Sequence, residues 1–239
     1  MQLTVLNKYT YDLLPVEVSP TNTFERPYFH YLNQSRTRAE TGKNLLCEMF
    51  CLSGVKPGLV WADPFGGCGL FALGFVNEFI PSLYRINDLN ADCVRQIRHV
   101  LGDYPNVEIS QGDALAFDFT GADIVILELP LFTLGRFVRG ELKVMWDAVF
   151  AAAPLRVVVT DGGRYNYHLT WKHNRKLDPR ITAEPDSYIS VMSELFFARY
   201  GYSVTRKAEQ SRCFYYTLEK IAPGEFVTLK VESGQGGLK

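Results

Sequence analysis

From Leu59 onward the chain alternates short apolar runs with segments of helical period, and this alternation restricts the fold more than any other feature. The apolar runs are 59–63 (LVWAD), 83–88 (LYRIND), 107–110 (VEIS), 122–129 (ADIVILEL) and 156–161 (RVVVTD). Between them, 70–80, 91–101 and 141–152 have the spacing of helices with an apolar side. Run 122–129 is apolar without alternation, as expected of a strand buried on both faces. A helix over 186–200 and two more strands, 202–208 and 213–219, close the series. The expected fold class is therefore α/β, a doubly wound, mainly parallel sheet that ends in an antiparallel hairpin.

Residues 1–56 precede this series and form a small N-terminal extension. The aromatic, Pro-rich stretch 9–31 has little periodicity and predicts loops. The stretch 37–53 predicts a helix whose apolar side holds Leu45, Leu46, Met49, Phe50 and Leu52. The expected organisation is an extension at 1–56 that covers the site, a main domain at 57–222, and a strand with a loose tail at 223–239. A chain of 239 residues, 47% of them hydrophobic, is long enough for one substantial core.

A formal net charge of -1 gives no global field for attracting nucleic acid, although it leaves room for a local basic face. The 5 cysteines, odd in number and irregularly spaced, do not form a disulfide pattern, so a reducing, cytoplasmic location is expected. Cys47 and Cys51 lack a second pair of ligands, and no metal is expected. No stretch reaches the roughly 18 apolar residues of a membrane span, and no membrane partner is expected.

The loop after the first strand reads Asp63-Pro64-Phe65-Gly66-Gly67-Cys68-Gly69. Glycines there let the backbone approach a ligand where a side chain would clash. Its spacing does not fit G-x-G-x-x-G, and no G-K-[ST] closes it as in a phosphate-binding loop. Asp88 ends the second strand, where an acid accepts hydrogen bonds from ribose hydroxyls. Asp113 follows the third strand. Acids at the carboxyl ends of consecutive parallel strands line one crevice, and they suit an amine and a sulfonium better than a diphosphate.

The segment VWADPFGGCGLFAL resembles the first motif of Rossmann-like S-adenosylmethionine-dependent methyltransferases, and YRINDLNADCVRQIR and VEISQGDAL resemble the two that follow. The resemblance covers about 57–161 and is especially close to DNA adenine and some RNA base methyltransferases. It implies S-adenosylmethionine as cofactor. The cofactor contacts would be Asp63, Phe65, Gly66, Gly67 and Gly69 about its methionine end, Asp88 at the ribose with Leu89 beside it, and Asp113 and Ala114 about the adenine.

Amino-group methyltransferases of this kind carry a D/N-P-P-Y/F tetrad after the fourth strand. The matching positions here are Glu128-Leu129-Pro130-Leu131, with Phe132 one place later. Glu128, Pro130 and Phe132 are the expected catalytic residues, Glu128 as acceptor of a proton or hydrogen bond and Phe132 as a stacking ring. The departure from the tetrad leaves open a variant amino methyltransferase, an enzyme with another target atom, or a cofactor binder without turnover. A cysteine-nucleophile route is disfavoured, because no Cys follows the fourth strand.

The polar, aromatic stretch 162–185 is long for a structureless connection. Its Arg164, Tyr165, Tyr167, His168, Trp171, Lys172 and Arg175 interleave cations with rings, a pattern suited to phosphate contact and base stacking. The leading expectation is methylation of a DNA or RNA base at nitrogen. Recognition would come from the chain itself, from a homo-oligomer or from a separate subunit. A small-molecule or protein acceptor and a non-catalytic cofactor binder are the alternatives.

Overall fold

The computed structural model describes residues 3–6, 13–16, 46–47, 50, 52–128, 139–161, 171–172, 175–176, 178–210 and 213–220. Near the amino terminus, strands β1 (Leu3–Leu6) and β2 (Leu13–Val16) pair antiparallel, Leu3 opposite Val16 and Leu6 opposite Leu13. The low periodicity of 9–31 predicts loops where β2 lies, and the sequence assigns no strand to 3–6. Both aliphatic runs are too short to show a clear period of two, one of them interrupted by Pro15.

The main sheet contains β3 (Val60–Asp63), β4 (Leu83–Asp88), β5 (Val107–Gln111), β6 (Ile124–Glu128), β7 (Arg156–Asp161), β8 (Tyr202–Gln210) and β9 (Cys213–Lys220). Their spatial order is β5-β4-β3-β6-β7-β9-β8. Strands β3 to β7 pair parallel, and β9 runs antiparallel to both β7 and β8. The expected class is thus observed: a mainly parallel α/β sheet with a terminal antiparallel hairpin. The chain winds outward from β3 to β5, then returns to place β6 on the other side of β3. Reversal of strand order at β3 and β6 opens a crevice at their carboxyl ends.

Helices α1 (Leu70–Phe79) and α2 (Ala91–Leu101) cover one face, and α3 (Arg139–Ala151) and α4 (Pro185–Leu195) the other. The period of two along each strand divides the core accordingly. Trp61, Tyr84, Ile86, Ile124, Ile126 and Val158 pack with α1 and α2. Ala62, Val125, Leu127, Val157 and Val159 pack with Met145, Trp146, Tyr188 and Met192. Strand β6 is buried at every position, as its unbroken apolar run predicts.

Helix α2 starts at Asn90, whose side chain accepts the Asp92 N–H at 2.8 Å, as an N-cap should. Helix α1 is buried nearly all round because the described part of the N-terminal extension covers its outer side. Leu46, Phe50 and Leu52 are buried there, and Phe50 sets its edge against Phe71 and Phe75, both at 4.9 Å between centroids. Among the described residues no helix is long and apolar enough to cross a membrane.

Candidate functional site

The glycine loop leaves β3 at Asp63 and folds over the end of β4. Gly66 N–H donates to the Asn87 carbonyl at 2.8 Å, and Gly69 N–H to the Gly66 carbonyl at 2.9 Å. Gly67 (φ 55°) and Gly69 (φ 81°) hold left-handed conformations that disfavour a side chain. The reason at Gly66 differs from the one the sequence suggested. A Cβ there would sit 2.3 Å from Ile86 Cγ1, so the loop lies on β4 itself. Phe65 turns its ring toward the core on the α3 and α4 side.

Asp63 has the same parity along β3 as Trp61 and therefore lies on the α1 side of the sheet. Only 4% exposed, it accepts the Tyr84 hydroxyl at 3.0 Å and the Phe65 N–H at 3.2 Å. Burial pushes its carboxyl up to about 7, although both hydrogen bonds oppose the rise. Tyr84, buried against Trp61 and Phe75, is itself pushed well above the usual tyrosine range, first by burial and then by the charges of Asp63 and Glu128.

Asp88 is half-buried. Its Oδ2 accepts the Gly67 N–H at 3.0 Å and its Oδ1 the Asn90 N–H at 2.8 Å, so one carboxylate joins the glycine loop to the start of α2. A carboxylate offers about four lone-pair positions, so these two bonds leave acceptor capacity for a ligand. Burial raises its pKa, and the N–H groups of Asn90, Gly67 and Leu89 counter that rise. Leu89, beside it, is 71% exposed. Asp113 is exposed, and its Oδ1 caps the 3-10 turn Ala114–Ala116 through the Leu115 N–H at 2.9 Å. Ala114 is buried beneath it.

Glu128 ends β6, opposite Thr160 of β7, and is 7% exposed. Its parity matches Ile124 and Ile126, which brings it to the same side of the sheet as Asp63 and Tyr84. The carboxyl ends of β4, β3 and β6 thus present Asp88, Asp63 and Glu128 on one face, with Asp113 after β5. Pro130, Phe132, Arg164, Tyr165, Tyr167 and His168 lie outside the described residues. Trp171, expected to stack on a base, is half-buried against the α3 and α4 core, with the Lys172 ammonium 6.0 Å from its ring centroid. Lys172 and Arg175 are exposed.

Two residues of the site escaped the sequence reading, Tyr84 and Asn87. Asn87 is 2% exposed and donates from Nδ2 to the carbonyls of Pro64 at 3.2 Å and Gly112 at 2.9 Å. The available signal was a buried-strand position filled by an amide among apolar neighbours, since such a group persists only when fully bonded.

No family model and no curated protein sequence matches the chain. Solved structures share its fold. Magnesium protoporphyrin IX methyltransferase from Synechocystis, with bound S-adenosylhomocysteine, is 15% identical, covers 84% of this chain and 88% of its own, and superposes with a TM-score of 0.54. A proposed methyltransferase, yhhF, from Escherichia coli is 14% identical over 93% of this chain and 99% of its own, with a TM-score of 0.53. A proposed RNA methyltransferase from Pyrococcus horikoshii is 18% identical over 78% of this chain and 87% of its own, with a TM-score of 0.52. At these identities the likeness is one of fold: the sheet with its flanking helices is that of Rossmann-like methyltransferases.

Proposed function

We propose that this chain binds S-adenosylmethionine and transfers its methyl group to a nitrogen acceptor. The observation that supports this reading best is the row of acids at one edge of the sheet, with an exposed Leu89 beside half-buried Asp88. Hydroxyls, an amine and a sulfonium suit that acidic row, whereas the phosphates of a dinucleotide would be repelled by it. When bound, the cofactor supplies an electrophilic methyl group.

Each residue then has a distinct part. Asp88 accepts hydrogen bonds from the ribose hydroxyls, and Leu89 gives an apolar surface to the adenine ring. Asp113 accepts from the adenine amino group through the oxygen not engaged with Leu115. The backbone of 66–69 passes the amino-acid end, with the Asp63 carboxyl behind it. Glu128 accepts a hydrogen bond or proton from the acceptor nitrogen. The reaction needs alignment more than covalent participation by the protein.

A small-molecule acceptor has the better support. The net charge is -1, and Trp171 packs on the domain instead of standing free for a base. The magnesium protoporphyrin IX enzyme acts on such a molecule within this fold. A nucleic-acid base is the second reading, supported by exposed Lys172 and Arg175 and by the Pyrococcus horikoshii relative.

Calorimetry with S-adenosylmethionine and S-adenosylhomocysteine tests the cofactor. Folded protein that binds neither refutes the proposal. Labelled methyl transfer to separate metabolite, protein, RNA and DNA pools then identifies the acceptor. Incorporation into protein, RNA or DNA alone overturns the small-molecule reading, and cofactor binding with no incorporation in any pool overturns the transfer step. Full turnover by Glu128→Gln on the identified acceptor would remove Glu128 from the reaction.

A further inference from the structure

Asn87 stands one residue before Asp88 and opposite Ser110 in the β4–β5 ladder. One N–H of its side-chain amide reaches the Pro64 carbonyl in the glycine loop at 3.2 Å, and the other the Gly112 carbonyl after β5 at 2.9 Å. The two carbonyls can only accept, so the nitrogen end of the amide faces them, and its Oδ1 accepts the Ser110 hydroxyl at 2.9 Å. Its backbone carbonyl holds the Gly66 N–H at 2.8 Å. A primary amide has two N–H donors, and both are engaged with protein. At 2% exposure the side chain has no surface to offer a ligand.

We propose that Asn87 is a positioning residue that holds the glycine loop and the Gly112–Asp113 turn at a fixed spacing, so that both ends of one cofactor molecule are gripped together. This assignment rests on the cofactor reading above. The two loops leave strands β3 and β5, which are not neighbours, because β4 lies between them. Asn87 spans that gap from the strand in the middle. An aspartate in its place would have no donor for either carbonyl, and an alanine would leave both carbonyls without a partner.

The test compares two ligands that differ in length. S-adenosylhomocysteine extends from the Asp113 side to the glycine loop, while 5′-methylthioadenosine lacks the amino-acid end. Affinities are measured by calorimetry on wild type, Asn87→Ala and Ser110→Ala, well below their melting temperatures, with folding checked by circular dichroism. Asn87→Ala is expected to weaken S-adenosylhomocysteine by about tenfold or more and 5′-methylthioadenosine by less than about threefold. Ser110→Ala, which removes the hydroxyl bonded to the amide oxygen and so loosens the amide, is expected to move the ratio in the same direction by about two- to fivefold. A residue with a merely structural role would weaken both ligands equally or neither, and either result overturns the assignment. If Asn87→Ala does not fold, the ratio in Ser110→Ala decides. Wild-type protein that binds neither ligand refutes the cofactor reading and this assignment with it. Wild-type binding with an unchanged ratio in the variants refutes this assignment alone.

Discussion

Replacing Asp63 by Asn should stabilise the protein in a manner that depends on pH. Burial places the Asp63 carboxyl at about 7 in the folded state, against an ordinary value of 3.8. Below the ordinary value the carboxyl is protonated in both folded and unfolded chains, and it contributes no difference. Between the two values the unfolded chain has lost the proton and the folded chain keeps it. Folding then takes up a proton, and stability falls by about 1.4 kcal/mol for each pH unit of increase. Above about 7 the loss levels off at roughly 4 kcal/mol, an upper bound because water and relaxation reduce the penalty of a buried charge.

The Asp63→Asn side chain carries no charge at any of these pH values. One amide oxygen cannot serve both Tyr84 and Phe65 as the carboxylate does, and losing one of those bonds subtracts about 1 kcal/mol. The variant should therefore exceed wild type by about 2–3 kcal/mol at pH 8 and by much less, or not at all, at pH 5. Urea denaturation of both proteins at pH 5, 6, 7 and 8 measures the difference, from which the titration of carboxylates not coupled to Asp63 cancels. A difference that stays constant across the series would refute the reasoning. Neither the burial of Asp63 nor the charge of Asp88 nearby would then govern its titration.

Tyr84→Phe removes the hydroxyl donor and leaves Asp63 with one fewer partner, so it should cost about 1–3 kcal/mol at pH 8 and clearly less at pH 5 in the same assay. An equal loss at both would mean that the hydroxyl serves packing only. Gly66→Ala should destabilise by about 1–3 kcal/mol, and in an Ile86→Ala background by less, because the clash is with Ile86. Thermal melts of the two single variants and the double variant check this, and strict additivity would refute it. Phe75→Ala should cost about 3–5 kcal/mol in urea denaturation, since its ring lies between Phe50 and Trp61 with no exposed surface. A loss under about 1 kcal/mol would mean that the core closes over the gap.

The parallel strands and their helices were legible because their apolar periods are long and their boundaries chemically marked. Asn90 caps α2 where the pattern changes, and the unbroken run in β6 is buried throughout. The crevice was legible for the same reason, since acids at strand ends follow from strand positions. What the sequence withheld were relations across strands. Nothing in the spacing says that the Tyr84 hydroxyl returns to Asp63, because a tyrosine in a strand reads simply as a core ring. Nothing in NDLN separates the buried amide of Asn87 from the half-exposed carboxylate of Asp88. The glycines were recognised as necessary, yet at Gly66 the crowding atom belongs to Ile86. The terminal hairpin was expected, but not that its second strand would be the one to pair with β7.

That pairing has a consequence for how the chain is assembled. Strand β8 is made before β9 but lies beyond it, so β8 has no place in the sheet until β9 has joined β7. A chain emerging from the ribosome can complete β3 to β7 while the edge along Val157–Val159 is still bare, a row of unpaired backbone groups flanked by apolar side chains. Strand β9 is therefore both the last of these strands to be synthesised and the seal on the most association-prone edge. A nascent or truncated chain ending before Cys213 would meet its greatest risk of self-association at β7, after the crevice and its acids are already built.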